Sequence, residues 1–429
     1  MFRFAHLADC HLGAWRDAKL KELNLEAFNR ALDLSVKEKV NFIIISGDLF
    51  HVNIPDLGLV KTVVEKFREI REKGIEIYMV YGSHDYSPNV VSIVDILSSA
   101  GLFKKVVQAE AIEDHIRLQF LCDDDTGAKI VGLSGRSGSL EKEYFEALDI
   151  NSLQDEDGFK IFVFHSAVNE LKPISTASME SVPLSYLPPG FNYYAGGHIH
   201  KRVWENVKGY GVIAYPGPLF GATFTDLEDT ARGERRGFYV VDFDGELVKT
   251  SKFIEIMVSE VIYKELDGEG KTAKQVEKHL LDLTTKIDAS GNIVLIRVRG
   301  TLSSGRVGDI DFTQVRDLLV EKGATYVFIN RVALTTEAAT SVTLPGESVE
   351  EIERRLLNEV VSSFKVDSTL PPRVQKVLKE RLTEQKGTEL ARQLLSVLKA
   401  EPLQDEKKRE FENRVLQETL KVLKLEELE

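Results

Sequence analysis

Short apolar runs that stop abruptly at polar residues recur along the first half of the chain. Residues 2–8, 40–46, 75–80 and 160–164 each have the length and composition of a buried strand. A further run reaches Tyr193-Tyr194-Ala195 and then meets two glycines. Apolar stretches of this kind are typical of strands that are covered on both faces. The pattern therefore predicts several buried strands, each with a polar end.

Segments with helical spacing of apolar residues separate the first three of these runs. Residues 19–39 and 55–74 both predict amphipathic helices, and Gly74 is a stop signal for the second. Residues 90–100 are unusually apolar for a surface helix. That stretch is either part of the core or a face for self-association, and we favour self-association.

The sequence pattern changes near residue 250. Two predicted strands, at 236–243 and 253–263, are expected to close a first domain that spans residues 1–250. Residues 251–334 alternate strands with helices and predict a small α/β module. A linker at 335–346 then leads to a helical region at 347–429. Its leucine and valine stripes suit packing against another helix. The predicted fold class is α/β.

Composition narrows the range of partners. The chain has 429 residues with 43% hydrophobic content, enough for a sizeable core and about two to four domains. Its net charge of −13 argues against general attraction to nucleic acid or to an anionic membrane. A polyanionic ligand would therefore have to be met by a local basic patch, a metal ion or a partner.

Cysteine content and the N-terminus bear on the compartment. Only Cys10 and Cys122 occur, too few for a disulfide scaffold and consistent with a reducing compartment. The first residues lack the apolar core of a signal peptide, and no apolar run approaches a membrane span. We expect a cytoplasmic protein that has no contact with a membrane.

The histidines are unevenly placed. Six of the nine follow apolar runs, and three aspartates stand beside them. The histidines are His11, His51, His84, His165, His198 and His200, and the aspartates are Asp9, Asp48 and Asp85. The other three, His6, His115 and His279, are expected to be structural. Because ligands at strand ends face one edge of a sheet, the first nine predict a single site.

Metal binding explains these residue types best. His198 and His200 alternate along an extended segment and so share a face, although such a pair alone could be a surface accident or a hydrogen-bonded core pair. Carboxylates and imidazoles without thiolates suit two divalent ions, manganese first, with magnesium, zinc or iron as alternatives. Ions about 4 Å apart, bridged by a carboxylate, activate water and clamp a phosphoryl group. The expected chemistry is phosphate-ester hydrolysis.

The ordered motifs carry a resemblance. Asp9-x-His11, Gly47-Asp48, Gly82-Ser83-His84-Asp85, His165 and Gly197-His198-x-His200 together resemble the calcineurin-like metallophosphoesterase superfamily. Within it, Gly47-Asp48-Leu49-Phe50-His51 and Lys201-Arg202 look most like the archaeal and bacterial double-strand-break repair nucleases of the meiotic-recombination-eleven (SbcD-like) family. The motifs cover about the first 250 residues.

This resemblance implies a fold and partners. The fold would be a two-sheet sandwich flanked by helices, with a small α/β capping domain that helps hold DNA. The activity would be that of a manganese-dependent DNA endonuclease and 3'-to-5' exonuclease, working as a homodimer in double-strand-break repair. The helical tail would dock on the coiled coil of an ABC-type ATPase, and the protein would be nucleoid-associated when bound to DNA.

The resemblance also implies roles for the site residues. One ion would be held by Asp9, His11 and His200, and the other by His165 and His198, with Asp48 between them. His84 would stabilise or protonate the departing sugar oxygen and would be backed by Asp85, while His51 would assist at the phosphate.

Ser83 departs from the family pattern, which has asparagine at this position. Asparagine supplies an amide oxygen to the second ion, whereas a serine hydroxyl is shorter and a poorer ligand. If Ser83 ligates at all, the second ion is expected to be bound more weakly or through water.

Two rival readings remain open: a related enzyme acting on a small phosphodiester or a phosphoprotein, and a DNA-tethering scaffold whose nuclease is weakened at Ser83. A basic surface would favour the nuclease or the tether over the first rival. The candidate basic residues are Lys104, Lys105, Arg136, Lys201, Arg202, Arg232, Arg235 and Arg236.

Overall fold

A computed structural model describes residues 1–86, 91–112, 115–135, 141–173, 179–336, 384–400 and 408–423. Contacts divide the chain into two compact units, Met1–Thr336 and Glu337–Glu429. The predicted linker from residue 337 onward and the predicted helical region up to residue 383 lie outside the described residues. Most of the described residues therefore lie in the first unit.

The elements of the chain alternate between strands and helices over most of the first unit. The strands are β1 (Phe2–Leu7), β2 (Phe42–Ser46), β3 (Glu76–Val80), β4 (Lys104–Lys105), β5 (Ala109–Ile112), β6 (His115–Leu118), β7 (Leu121–Cys122), β8 (Lys129–Leu133), β9 (Lys160–His165), β10 (Ala167–Val168), β11 (Ser181–Val182), β12 (Tyr193–Gly197), β13 (Val203–Val207), β14 (Gly211–Tyr215), β15 (Gly237–Phe243), β16 (Val248–Glu255), β17 (Val261–Asp267), β18 (Ile293–Leu302), β19 (Tyr326–Asn330) and β20 (Leu334–Thr336). The helices are α1 (Ala18–Lys37), α2 (Leu57–Glu72), α3 (Ile93–Ser99), α4 (Glu141–Glu146), α5 (Ile150–Gln154), α6 (Phe224–Ala231), α7 (Ala273–Lys286), α8 (Phe312–Glu321), α9 (Glu384–Leu398) and α10 (Lys408–Leu423).

Two six-stranded sheets pack face to face. Their strand orders are β16-β15-β1-β2-β3-β4 and β13-β14-β12-β9-β8-β7, and the central strands of each run parallel. The layer between them is strongly aromatic, and Phe4 contacts both Phe42 of its own sheet and Tyr193 of the other. The side chains between the sheets are almost fully buried. The predicted α/β class and two-sheet sandwich are confirmed.

Helices cover the outer faces of the sandwich. Against the first sheet, α1 and α2 bury apolar stripes that include Phe28 and Phe67. Asp17 and Asp56 cap these two helices by accepting backbone N–H bonds from their first turns. Against the second sheet, α4 and α5 contribute to a separate apolar layer. Both sheets are thus covered on both faces, as the unbroken apolar strand sequences predict.

The small α/β module forms a third sheet. Strands β17, β18, β19 and β20 are parallel, with β18 between β17 and β19, and α7 and α8 pack on one face. One correction concerns the boundary at residue 250, which lies inside β16 of the first sheet. The run at 253–263 is two strands in different sheets. Strand β16 completes the sandwich, and the module proper begins with β17.

The remaining expectations concern single elements. In α3, Val94 and Leu97 are buried while Val91, just before it, and Ile96 are exposed by more than half, so the stretch serves the core and also leaves apolar surface. In the second unit, α9 and α10 pack against each other. Within the described ranges, no helix has the length and apolar character needed to cross a membrane.

Candidate metal centre

The polar ends of five strands meet at one edge of the sandwich. Strands β1, β2 and β3 of the first sheet and β9 and β12 of the second run parallel within their sheets. The residues at or just beyond their carboxyl ends lie within contact distance of one another across the two sheets. Parallel strands place such residues at a common edge, which is where sheets of this kind bind ligands.

Four of the predicted ligands have an unusual backbone. Asp9, His11, Asp48 and His198 have φ values of 51°, 42°, 52° and 87°, and Lys39 is the one other non-glycine residue with positive φ in the described chain. Such conformations cost on the order of 1–3 kcal/mol each and cluster at functional sites. Two backbone hydrogen bonds join the loop after β1 to the loop after β2 and hold three of these residues. The Asp9 amide donates to the Gly47 carbonyl, and the His11 amide donates to the Asp48 carbonyl.

Two glycines allow these loops to approach closely. A Cβ built on Gly82 would fall closer than 3.0 Å to the Asp48 carboxylate, and one built on Gly197 would collide with the Ser46 carbonyl and the His165 ring. A side chain at either position would therefore displace a predicted ligand. Glycine is required here for close packing, whatever its φ angle.

Asp9, His11 and His200 form the first ligand cluster. The Nε2 atoms of His11 and His200 lie 3.0 Å apart. Two ligand atoms bound at right angles to one ion, each about 2.1 Å from it, lie about 3.0 Å apart. The Asp9 carboxylate is fully buried, and its Oδ2 has no hydrogen-bond partner in the structure. A buried carboxylate oxygen beside two imidazole nitrogens fits a divalent cation.

Asp48, His165 and Asp9 form the second cluster. His165 Nδ1 lies 2.8 Å from the Ser46 carbonyl and must donate to it. Its Nε2, 3.2 Å from Asp48 Oδ2, then presents a lone pair toward a carboxylate. Two acceptors this close require a proton or a metal ion between them. Asp48 Oδ2 also lies 3.6 Å from His11 Nε2 of the first cluster, so this carboxylate faces both.

The pKa directions in this cluster reflect that demand for positive charge. Burial raises the pKa of Asp9 to about 6. Burial also opposes the charged forms of Asp48 and His165, but their mutual attraction outweighs it, lowering the pKa of Asp48 and raising that of His165 to about 10. Both shifts favour positive charge between His165 and Asp48, which either a proton or a divalent ion can supply.

His198 and Ser83 lie beside the second cluster. The His198 ring centroid is 5.2 Å from that of His165, and the His198 amide donates to Asp9 Oδ1. Burial lowers the pKa of His198 to about 4, so its imidazole is neutral and can ligate. Ser83 follows β3 between Gly82 and His84, whose amides are bonded to Asp85 and Asp48. His198 and Ser83 as ligands stay predictions, as do the ligand roles of Asp9, His11, Asp48, His165 and His200.

His51 and His84 stack on the solvent side of the first cluster. Their ring centroids are 4.8 Å apart, and each ring also contacts the ring of His11. His84 Nδ1 lies 2.6 Å from the His51 carbonyl, so it is the donor and Nε2 is left free. His84 is exposed. An imidazole fixed at one nitrogen and open at the other is placed to meet a substrate above the ligands.

Asp85 is placed differently from the expectation that it backs His84. It is 1% exposed, and its oxygens accept the amides of Leu49, Phe50 and Gly82. Burial raises its pKa to about 7, with Asp48 adding to the shift. Asp85 therefore ties the loop after β2 to the loop after β3. The reason is steric, since the β3 loop turns its carboxylate inward while His84 points outward.

Sequence reasoning missed Asp226. Both of its carboxylate oxygens lie 3.1 Å from His200 Nδ1. Burial disfavours its charge, but the bond from His200 outweighs this and lowers the pKa of Asp226, so the residue is a carboxylate. The available signal was Thr223-x-x-Asp226, a capping box that starts a helix. This motif indicates where a helix starts, but it does not indicate that the Asp226 carboxylate contacts His200.

The three histidines expected to be structural are not members of the ligand clusters. His6 is buried between the Tyr193 hydroxyl and the Ser46 hydroxyl, 2.9 Å from each. His115 and His279 are exposed. Cys10 is fully buried, in accordance with a packing role.

Part of this chain is similar in sequence to known proteins. Residues 2–202 match the family described as calcineurin-like phosphoesterase. Together with the sandwich and the histidine and aspartate clusters at its edge, this match defines the class: the chain has the calcineurin-like metallophosphoesterase fold and is a metal-dependent hydrolase.

The curated relatives narrow the class further. Proteins named DNA double-strand break repair protein Mre11 match at 27% identity in Methanococcus maripaludis, 30% in Methanopyrus kandleri and 29% in Archaeoglobus fulgidus. The matches cover 64%, 62% and 68% of this chain and 73%, 60% and 67% of those proteins, respectively. Over most of its length the chain is therefore similar to archaeal proteins of that name.

Gly82→Ala tests the close packing of the two loops. The added methyl group meets the Asp48 carboxylate, so we expect affinity for Mn²⁺ to fall by about 10-fold or more. Isothermal titration calorimetry measures it, with circular dichroism to verify that the fold is kept.

Gly308→Ala is the matched control, because a Cβ at Gly308 meets nothing within 4 Å. Wild-type affinity in Gly82→Ala would contradict the packing argument, as would an equal loss in Gly308→Ala.

Proposed function

We propose that this chain is a two-metal DNA nuclease, with both endonuclease and 3'-to-5' exonuclease activity, that acts in double-strand-break repair. The observation that carries the proposal is the pair of candidate ligand clusters facing the Asp48 carboxylate, beneath the stacked rings of His51 and His84. Three similar proteins carry a DNA double-strand-break repair name. That name supports DNA as the substrate.

The ligand assignment follows the two clusters. Asp9, His11 and His200 would hold one ion, and His165 and His198 the other, with Asp48 between them and Ser83 beside the second. Two such ions, manganese in our proposal, would supply a more acidic water and neutralise phosphate charge. Oxygen and imidazole donors also suit magnesium, zinc or iron.

Protons and orientation would be supplied by the side chains above the ligands. His84, held through Nδ1, presents Nε2 to solvent and could protonate the departing sugar oxygen. His51 stacks on it and contacts His11 Nδ1 at 3.4 Å. This contact limits rotation of His11, while the outer edge of the His51 ring remains available to the phosphate.

Most of the basic residues suggested from the sequence as DNA contacts have acidic partners or are buried. Five of them are ion-paired: Lys104 with Glu76 and Asp124, Lys105 with Asp95, Lys201 with Asp229, Arg232 with Glu228, and Arg235 with Glu255. Arg236 is buried, Arg136 lies outside the described residues, and exposed Arg202 lies over the Phe253 ring. With a net charge of −13, phosphate attraction would fall mainly to the metal ions.

We further propose the assembly implied by the sequence resemblance. The chain would form a homodimer and would dock on the coiled coil of an ABC-type ATPase through residues 347–429. Exposed Leu398 and Leu416 on α9 and α10 provide apolar surface in the described part of that region. The complex would be cytoplasmic and associated with the nucleoid when bound to DNA.

Two alternatives remain distinguishable by experiment. A hydrolase for a small phosphodiester or a phosphoprotein would use the same metal centre, and a DNA-tethering scaffold would bind DNA without cutting it. The open position of His84 favours a catalyst over a scaffold, because a tether needs no free imidazole above its ligands.

His84→Ala tests the nuclease proposal. The purified protein is incubated with single-stranded, hairpin and duplex DNA in Mn²⁺ or Mg²⁺. We expect cleavage by the wild type and a loss of about 10²–10⁴-fold in the variant, the contribution typical of a proton donor. Metal affinity should be unchanged.

His115→Ala, which removes an exposed histidine on the β5–β6 hairpin, is the matched control and should cut normally. Equal cleavage by His84→Ala would remove the assigned role. Retention of DNA without cleavage by the wild type would favour the scaffold, and hydrolysis of a small diester alone would favour the other enzyme.

Ser83→Asn tests the proposed weakness of the second ion site. An amide oxygen at this position adds a ligand, so Mn²⁺ should bind about 10-fold more tightly at one of two sites. Calorimetric titration measures this, with the exposed Ser303→Asn as control. Unchanged titrations in Ser83→Asn would rule out residue 83 as a ligand position.

Deletion of residues 347–429 tests the tail. Met1–Thr336 is a compact unit that contains every proposed ligand, so cleavage of simple DNA should stay within about twofold of the full chain on the basis that separate units act independently. Pull-down of the ATPase should be lost. Capture of the ATPase by the truncated chain would contradict the docking proposal.

A further inference from the structure

The contact between Asp226 and His200 joins the metal centre to a helix outside the strand ends. His200 follows β12, whereas Asp226 is in the first turn of α6. Both Asp226 oxygens lie 3.1 Å from His200 Nδ1, and the Asp226 side chain is 7% exposed. Since a carboxylate accepts only, His200 Nδ1 must donate, and in the neutral ring that can ligate a metal its Nε2 carries the lone pair that faces His11 Nε2.

The Asp226 carboxylate is itself fixed. Its Oδ2 also accepts the amides of Ala222 and Thr223, at 3.1 and 3.0 Å. Thr223 completes the capping box by accepting the Asp226 amide. The carboxylate therefore cannot rotate away from His200 without abandoning two helix-cap bonds.

A buried arginine joins the same two segments through their backbones. The Arg236 guanidinium donates to the His200 carbonyl at 2.8 Å, to the Asp226 carbonyl at 2.6 Å and to the Thr230 hydroxyl at 2.8 Å. Arg236 is 4% exposed. It holds the loop after β12 at a set distance from α6.

The opposite side of α6 is attached to the small module. The Phe224 ring packs on Phe328 with centroids 4.8 Å apart, and Glu228 pairs with Arg297 of β18. The helix is thus held from both sides.

A metal-ligating imidazole whose other nitrogen donates to a carboxylate is oriented by that carboxylate and made more basic.

We propose that Asp226 is a positioning residue for the ion that Asp9, His11 and His200 hold, acting through the Nδ1 atom of His200. It fixes the ring and the tautomer that directs Nε2 to the ion. The inference rests on the metal centre of the proposed function and does not require DNA as the substrate. Metal binding is therefore the readout, which separates its failure from failure of the nuclease proposal.

The test compares Mn²⁺ binding by calorimetry in the full chain. Asp226→Asn keeps the size and the cap-accepting oxygen but removes the charge, and we expect one of two ions to bind about 10- to 100-fold more weakly. Thr223→Ala, which disturbs the same helix start but leaves the carboxylate, is the control and should keep near wild-type affinity.

A double-mutant cycle shows whether Asp226 acts through His200. In a His200→Ala background, Asp226→Asn should change Mn²⁺ affinity no further. Wild-type binding by Asp226→Asn overturns the proposal, and so does an equal loss in Thr223→Ala or a full additional loss in the double variant. Absence of Mn²⁺ binding by the wild type overturns the metal centre itself.

A measurement on the wild type keeps the proposal testable if Asp226→Asn does not fold. In protein labelled with ¹⁵N-histidine, His200 should carry its proton on Nδ1, and added Zn²⁺, which is diamagnetic, should shift Nε2. A neutral ring with its only proton on Nε2, or metal at Nδ1, overturns the assignment.

Discussion

Burial of two aspartates side by side is the constraint on which the site depends. Asp9 and Asp48 are 0% and 2% exposed, and water cannot screen them. Bringing like charges out of water is unfavourable unless positive charge accompanies them. The raised pKa of His165 beside them is one response to that demand, since a protonated ring supplies part of the charge. Divalent ions would supply more, so metal affinity and the instability of the bare carboxylates have the same origin.

The fold meets this constraint by stiffening everything around the carboxylates. Two covered sheets bring five strand ends to one edge, and the loops there adopt positive φ at four predicted ligands. Asp85 joins two of the loops by accepting three amides. The ligand imidazoles are fixed by their second nitrogens, His165 by Ser46 and His200 by Asp226. Little reorganisation is left for the moment when an ion binds.

Prediction from the sequence succeeded where periodicity and strand ends carried the signal. Apolar runs gave the sandwich strands, and residues just beyond them gave the members of the ligand clusters. It failed where a contact depends on how distant segments pack together. Nothing local shows that Asp85 turns inward, that β16 belongs to the first sheet, or that Asp226 reaches across 26 residues to His200. Lys201 and Arg235 looked available because their acidic partners, Asp229 and Glu255, are distant in sequence.

The close approach at Gly82 and Gly197 enlarges the set of changes that can silence this centre. At these positions a single added methyl group displaces Asp48 or His165 without altering any ligand. A chain that retained every histidine and aspartate could thus lack the chemistry. The presence of all metal-binding residues is therefore not enough to judge whether a divergent homologue is active. The glycines between the loops must be present as well.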